Sequence, residues 1–487
     1  MTQTQDHNPP NAPTTKLSPE ILHLIFGYFC AHCRGEYEWP FGVQQAAQDT
    51  LTLFNACLVS KYFRDIAQEI LHHSFDPDCP RWLTPNPWEH RLEPFLRTVA
   101  SRPDLARSVK AAFLRVPLVE ALSFDEGRDV FDTCARSLGT SAYEIYQKEH
   151  LHLASDAAAI ERAFFLREPA PENMEQKDFI PVVARELLTI LASLLPSLAH
   201  LGIEEDDSIR KRFQFDISPA TLKALEITTL PLKTFESDRG LGGLLSRSPE
   251  LETLVTLVAP GSWPLPNMPS LKNLHLRSKR AISRWAIERC LSICTGNLSV
   301  FSYTAVDSDV ATVVKYLEQA RFHATLELLH LDLRPKPSAW NVKMIPSLKL
   351  FTNLKTLFIP ANSLYGTSSK PSSYQSLVDI LPPNIVTLTL LENSVPTPPH
   401  RMRDDLQSLV NAKPTLFLQL KEIRSNSQNI CDERLTSTFK QVDVALIFQQ
   451  LPTSSWSCTG QLLLESPLNS PATVPLILPS ELSDEDL

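Results

Sequence analysis

Along most of this chain the apolar residues fall in short bursts of one shape: an apolar position, another three residues on, and a third two beyond that (L-x-x-L-x-L). The burst recurs as LAHLGI (198–203), LKALEI (222–227), LETLVT (251–256), LKNLHL (271–276), LSVFSY (298–303), LELLHL (326–331), LKTLFI (354–359), IVTLTL (385–390) and, less regularly, LKEIRS (420–425). Their starts are separated by 24, 29, 20, 27, 28, 28, 31 and 35 residues. Strand side chains alternate between faces, so the last two apolar positions, such as Leu274 and Leu276, share one face of a short strand, while Leu271 fills the turn leading in. One such strand cannot hide its apolar face alone, whereas stacked neighbours form a continuous core.

Between the bursts the period changes from two to that of a helix. ISRWAIERCLSIC (282–294), DSDVATVVKYLEQA (307–320) and SYQSLVDIL (373–381) space their apolar residues at helical intervals, and Asp307 or Ser308 is placed to cap the second of these. FLRTVASRPDLARSVKAAFL (95–114) reads as a helix followed by a first strand, and FIPVVARELLTILASLLPSL (179–198) as a long helix feeding the first good burst. Strands alternating with helical crossovers predict an α/β chain built on parallel strands. The repeat spacing straddles that of leucine-rich repeats, so the expectation is an irregular leucine-rich-repeat-like α/β solenoid over 196–450, preceded by a helical connector with the first repeat or repeats over 76–195. The competing reading is an ordinary α/β domain whose leucines recur by chance.

The first structured stretch is patterned differently. In LSPEILHLIFGYF (17–29), Ser18 is a good N-cap, Pro19 sits where its missing N–H costs nothing, and Glu20 favours the helix dipole. At about 100° per residue, Leu22, Leu24, Ile25, Phe26, Tyr28 and Phe29 fall within an arc of about 200° that includes Ile21. A helix packing only on its own domain needs a stripe of little more than about 100°. Half of the apolar surface is surplus and must meet another part of the protein or another protein.

Together with LTLFNACLVSKYFRDIAQEILHHSF (51–75), this helix resembles an F-box. The matching positions are Leu17, Pro19, Glu20, Ile21, Leu22, Ile25, Phe26 and Phe29, then Leu53, Cys57, Leu58, Val59, Ser60, Lys61, Phe63 and Arg64, so that 16–75 is similar to a small all-α F-box domain. Ser18 stands where the family usually has proline, and the loop from about Cys30 to Asp49 is longer than usual. A leucine-rich region behind an F-box is a common family arrangement, and 95–114 is similar to the segment that follows the F-box in many fungal members. The resemblance implies adaptor contacts by Leu17, Pro19, Glu20, Ile21, Leu22, Ile25, Phe26, Phe29, Leu53, Leu58, Val59, Lys61 and Phe63. The implied partners are a Skp-type adaptor and, through it, a cullin-RING ubiquitin ligase whose protein substrate the repeat region would recruit.

Composition narrows the rest. The 487 residues carry 46 Lys and Arg against 55 Asp and Glu, a net charge of −9 with the signs interspersed, so no nucleic-acid footprint appears. The longest wholly apolar runs, such as LLTILASLL (187–195), are shorter than the roughly 20 residues a spanning helix needs, and no membrane role is expected. Nine cysteines scattered without a framework suit a reducing compartment, the cytoplasm or the nucleus. Residues 1–15 are polar and proline-bearing. From 441 to 487 there are six acids and no Lys or Arg. Both ends, 1–15 and 451–487, read as disordered, the latter as an acidic tail.

Candidate chemistry is sparse. Cys30-Ala31-His32-Cys33 has the C-x-x-C spacing zinc favours, but a structural zinc needs four ligands and no second C-x-x-C follows, Cys57 and Cys79 being the nearby thiols. The expectation is free thiols at a helix end, with no metal and no cofactor. Cys290 and Cys294, four apart, read as small packed hydrophobes. His72-His73 reads as an interface or capping pair, and RGLGGLL (239–245), which lacks phosphate-loop spacing, as a turn and helix. No G-x-S-x-G elbow or H-E-x-x-H pair is present, so a non-catalytic interaction protein is expected. The rival function keeps the repeats and drops the ligase: a leucine-rich-repeat scaffold or GTPase-regulator-binding protein whose first 75 residues cap the array.

Overall fold

A computed structural model describes residues 17–30, 32–34, 46–76, 91–150, 158–204, 216–237, 242–257, 265–278, 284–305, 310–319, 322–332, 344–365, 376–392, 399–428 and 430–449. The two chain ends expected to be disordered, and the cap at Asp307 or Ser308, lie outside these residues.

The chain is mixed α/β. Its described strands form one sheet of twelve, each hydrogen-bonded in parallel to its predecessor in the sequence. They are β1 (Ser74–Phe75), β2 (Ala111–Arg115), β3 (His200–Glu204), β4 (Thr234–Ser237), β5 (Thr253–Leu257), β6 (Asn273–Ser278), β7 (Val300–Ala305), β8 (Leu328–Asp332), β9 (Thr356–Pro360), β10 (Thr387–Leu391), β11 (Glu422–Ser425) and β12 (Ala445–Phe448). The burst positions are in register. Leu254, Leu274, Phe301, Leu329, Leu357, Leu388 and Ile423 stand side by side across β5 to β11, and all are buried. The leading residues Leu271, Leu298, Leu326, Leu354 and Ile385 are fully buried in the turns before the strands, so each burst contributes one turn plug and one or two strand residues to a single core.

The start of each strand repeats one hydrogen-bond pattern, in which a single carbonyl accepts two successive amides of the next strand. The His73 carbonyl takes Lys110 N at 2.8 Å and Ala111 N at 3.0 Å, that of Lys110 takes Ala199 and His200, and the series runs on through Ala199, Lys233, Glu252, Lys272, Ser299, Glu327, Lys355 and Val386. His73 is the first carbonyl of this ladder.

Eight of the nine bursts end in strands. LKALEI does not: Ser218 accepts Thr221 N at 3.2 Å and Pro219 occupies the first turn, which starts the helix Pro219–Ala224, and the strand follows ten residues later as β4. Leu222 is still fully buried, so the apolar spacing served a helix face instead of a strand. The long helix expected before β3 is Gln176–Leu194, and the helix-then-strand reading of 95–114 corresponds to Leu92–Ser101, a short helix Pro103–Ser108, and β2.

Ahead of the sheet lie three helices, α1 (Pro19–Gly27), α2 (Ala46–Val59) and α3 (Lys61–Leu71). Ser18 caps α1, its Oγ accepting Ile21 N at 3.5 Å. Ser60 separates α2 from α3 by capping α3, its Oγ accepting Phe63 N at 3.1 Å. Among the described residues no helix is long and apolar enough to cross a membrane.

Candidate interaction surface and cysteine–histidine cluster

The first three helices have a small core of their own, separate from that of the sheet. Leu22 and Phe26 of α1, Leu53 of α2, and Ile66, Ala67 and Ile70 of α3 are buried together with Cys30. Phe26 meets Phe63 edge to face at 5.6 Å, and the Tyr62 hydroxyl donates to the Leu17 carbonyl at 2.8 Å. α1 therefore lies on α3 by the face that carries Leu22, Phe26 and half-buried Phe29.

The other face of α1 is exposed, with the Arg34 guanidinium 5.9 Å over the Tyr28 ring at its end. Leu17, Ile21, Leu24, Ile25 and Tyr28 are exposed, Leu24 by 74%, and on α2 so are Leu51, Phe54, Leu58 and Val59, Leu58 by 70%. These nine are more than half of the seventeen exposed large apolar side chains among the described residues. The surplus inferred from the angular count is thus exposed.

Of the thirteen residues expected at an interface, Leu17, Pro19, Glu20, Ile21, Ile25, Leu58, Val59 and Lys61 are exposed, and Phe29 and Phe63 are half-buried. Leu22, Phe26 and Leu53 are buried in the small core, Leu22 to 2%, and hold the helices together instead of offering a free surface. Leu24 and Tyr28 of α1 and Leu51 and Phe54 of α2 are exposed as well, although the family pattern does not carry them. Leu51, Phe54 and Leu58 stand at i, i+3 and i+7, a spacing that marks one helix face and that could have identified them. Glu20 is exposed at the first turn, where its own backbone N–H and the Ser18 hydroxyl hold its carboxyl below the usual range.

At the C-terminal end of α1 the chain brings four ligand-type side chains together. Cys33 Sγ lies 3.2 Å from His73 Nδ1, Cys30 Sγ lies 3.8 Å from the same atom, and Cys33 Sγ is 3.9 Å from His32 Nδ1. All four candidate atoms fall within 4.8 Å of one another, and among the described residues this is the single such group. The turn is set locally: Cys30 N donates to Gly27 O and Arg34 N to Cys30 O, while His73 N donates to Ile70 O at the end of α3. Cys33 donating toward Cys30 lowers the Cys30 thiol and keeps the proton on Cys33, whose own thiol is raised. Of the two histidines expected to cap or to line an interface, His72 is the C-cap of α3. His72 Nδ1 turns to the Gln68 carbonyl at 2.8 Å, closing α3, while His73 faces the cysteines.

On the other face of the sheet Glu236, Val255, His275, Ser302, His330, Phe358 and Thr389 stand side by side in register, polar except for Val255 and Phe358. Glu236 pairs with His200 at 2.9 Å and Ser302 with His330 at 2.9 Å, both buried. Gly202 stands in register with Glu236 on this face, and the Phe113 ring lies over it, where a Cβ would come 2.5 Å from the ring. Cys290 and Cys294 are buried as expected, and burial pushes their thiols up to about 11 and about 12.

No known family profile matches the chain, and no curated protein matches it in sequence.

Proposed function

We propose that this chain is the substrate-recognition subunit of a Skp-cullin-F-box type ubiquitin ligase, with α1 to α3 as an F-box that binds the Skp-type adaptor and the following array as an irregular leucine-rich-repeat-like solenoid that recruits a protein substrate. The observation that carries the reading is the exposed apolar residues of α1 and α2, supported by the match of 17–29 and 51–75 to the F-box pattern. Monomers seldom leave so many large apolar side chains in water on two short stretches of helix unless something covers them. The twelve parallel strands in chain order, each burst led by an apolar plug, support the solenoid part. The role is proximity: holding a substrate lysine near a charged conjugating enzyme raises its effective concentration without chemistry in this chain.

The test is binding of the full chain to a purified Skp-type adaptor, wild type against Leu24→Asp/Leu58→Asp. Both positions are exposed, so the variant keeps its fold while placing two charges in the proposed contact. A loss of about 2 kcal/mol or more, roughly 30-fold in Kd, is expected. A folded wild-type chain that does not bind the adaptor refutes the ligase reading and leaves the three helices as a cap on a repeat scaffold.

A further inference from the structure

We propose that Cys30, His32, Cys33 and His73 form a structural zinc site that fastens the C-terminal end of α1 to the junction of α3 and β1. The inference is independent of the adaptor reading, since it concerns what holds the helices to the sheet and not what they bind.

The ligand set is the first argument. Two thiols and two imidazoles are one of the combinations that structural zinc takes, with four protein ligands and no open position. Soft sulfur with imidazole disfavours magnesium and calcium, which prefer oxygen. Sequence spacing alone concealed the set, because the fourth ligand lies forty residues beyond Cys33.

Geometry is the second. A tetrahedral ion with bonds of about 2.3 Å to sulfur and about 2.0–2.1 Å to nitrogen separates its ligand atoms by about 3.3–3.8 Å. The contacts here are 3.2, 3.8 and 3.9 Å, with all four atoms inside 4.8 Å. The Nδ1 of His73 faces both sulfurs, 3.2 Å from Cys33 and 3.8 Å from Cys30. A cation at the centre satisfies every one of these atoms together.

Placement is the third. His73 contributes its side chain to the cluster and its carbonyl to the first rung of the ladder that runs through the sheet. The two hydrophobic cores are separate, so a bond network at this residue ties the one to the other. Cys30 is buried in the small core, and Cys33 packs against Gly27 at the end of α1, where an added Cβ would lie 3.6 Å from that of Cys33.

The experiment is metal analysis of the untagged full chain, purified without chelator, combined with Co(II) substitution. The expected result is one zinc per chain, and a Co(II) form with the intense visible bands of a tetrahedral centre and a near-ultraviolet thiolate-to-metal band. Cys33→Ser, at an exposed position that the fold tolerates, should reduce bound zinc to near zero and abolish the thiolate band. Cys57→Ser, outside the cluster, should keep one zinc. Chelation should raise amide exchange in 17–34 while leaving β5 to β10 protected. A wild-type chain that is folded but carries no zinc and gives no tetrahedral Co(II) spectrum overturns the site, as does full zinc content in Cys33→Ser. A Cys30–Cys33 disulfide in protein purified under reducing conditions overturns it as well.

Discussion

Replacing Arg185 by Met tests whether the helical layer in front of β3 is held by a buried ionic network or by apolar packing alone. Arg185 lies in the helix Gln176–Leu194 and reaches Glu161 of the helix Ala158–Leu166 with Nη2 at 2.9 Å, while its Nε meets Glu186 at 2.9 Å. Glu186 also accepts the Thr221 hydroxyl at 2.5 Å from the helix Pro219–Ala224. The Glu161 and Glu186 side chains are 4% and 0% exposed, and that of Arg185 is 30% exposed. Burial alone would lower the guanidinium's pKa, and the two carboxylates more than reverse it, so that it is raised. Taking away the cation leaves two carboxylates out of water without a counter-charge, which costs about 3–5 kcal/mol at a fully buried pair. Solvent at the partly exposed guanidinium reduces the expectation to about 2–4 kcal/mol. Urea unfolding followed by circular dichroism should show the midpoint of Arg185→Met falling with its slope unchanged. The triple variant Arg185→Met/Glu161→Gln/Glu186→Gln should recover at least half of the loss, because the amides need no cation and the one introduced by Glu186→Gln still offers Thr221 an acceptor. A single variant within about 0.5 kcal/mol of wild type, typical of a neutral surface change, would refute the network as a stabilising element, and so would a triple variant no better than the single one.

Three further outcomes follow from the same structure. His275 is deeply buried, and burial first, then Arg277 and His330, hold its imidazole well below the usual 6.5. Because the unfolded chain takes up a proton that the folded one refuses, its contribution is complete above about pH 6.5 and is lost as the pH falls below that, by up to about 1.4 kcal/mol per pH unit; His275→Gln should flatten the stability profile between about pH 6.5 and 5. Gly296 faces a backbone carbonyl, with Pro269 O 2.1 Å from an added Cβ. Gly296→Ala should cost about 1–3 kcal/mol in the same urea assay, since a backbone atom cannot swing aside as a side chain does. Leu22→Asp should unfold the small core and strip protection from α1 to α3 in hydrogen exchange, whereas Leu24→Asp, two residues on, should leave protection unchanged; equal effects at the two positions would contradict the facing described for α1.

How much of this was legible beforehand depended on whether a feature is local. The burst Leu271, Leu274, Leu276 specifies its own strand, because period-two alternation and a preceding plug are written into six residues. The start of α1 was equally local, since Ser18, Pro19 and Glu20 lie within three positions. LKALEI shows the limit: three apolar residues at i, i+3 and i+5 fit either a strand or a helix turn, and the decision fell to Ser218 and Pro219 just upstream and to the Glu186–Thr221 contact 35 residues away. The interface was half legible. The angular count found the apolar surplus, but which side of α1 faces inward depends on α3, and a family pattern that mixes buried with exposed positions could not separate Leu22 from Leu24. The cysteine cluster was least legible, because C-x-x-C is local while His73 reaches it only after α3 has folded back.

That last residue bears on how the two ends of the molecule work together. The small core and the sheet core share no buried residue, and α3 runs into β1 through His72 and His73. In the proposed role, with one protein held by the helices and another by the array, position passes through whatever joins them, and a loose joint would dilute the effective concentration on which proximity depends. His72 ends α3 by binding the Gln68 carbonyl, and the His73 carbonyl begins the strand ladder, with no residue between them. The His73 imidazole then returns to Cys30 and Cys33 beyond α1. The end of α1, the end of α3 and the first strand therefore meet at one residue, which joins the exposed apolar helices to the sheet by short-range geometry.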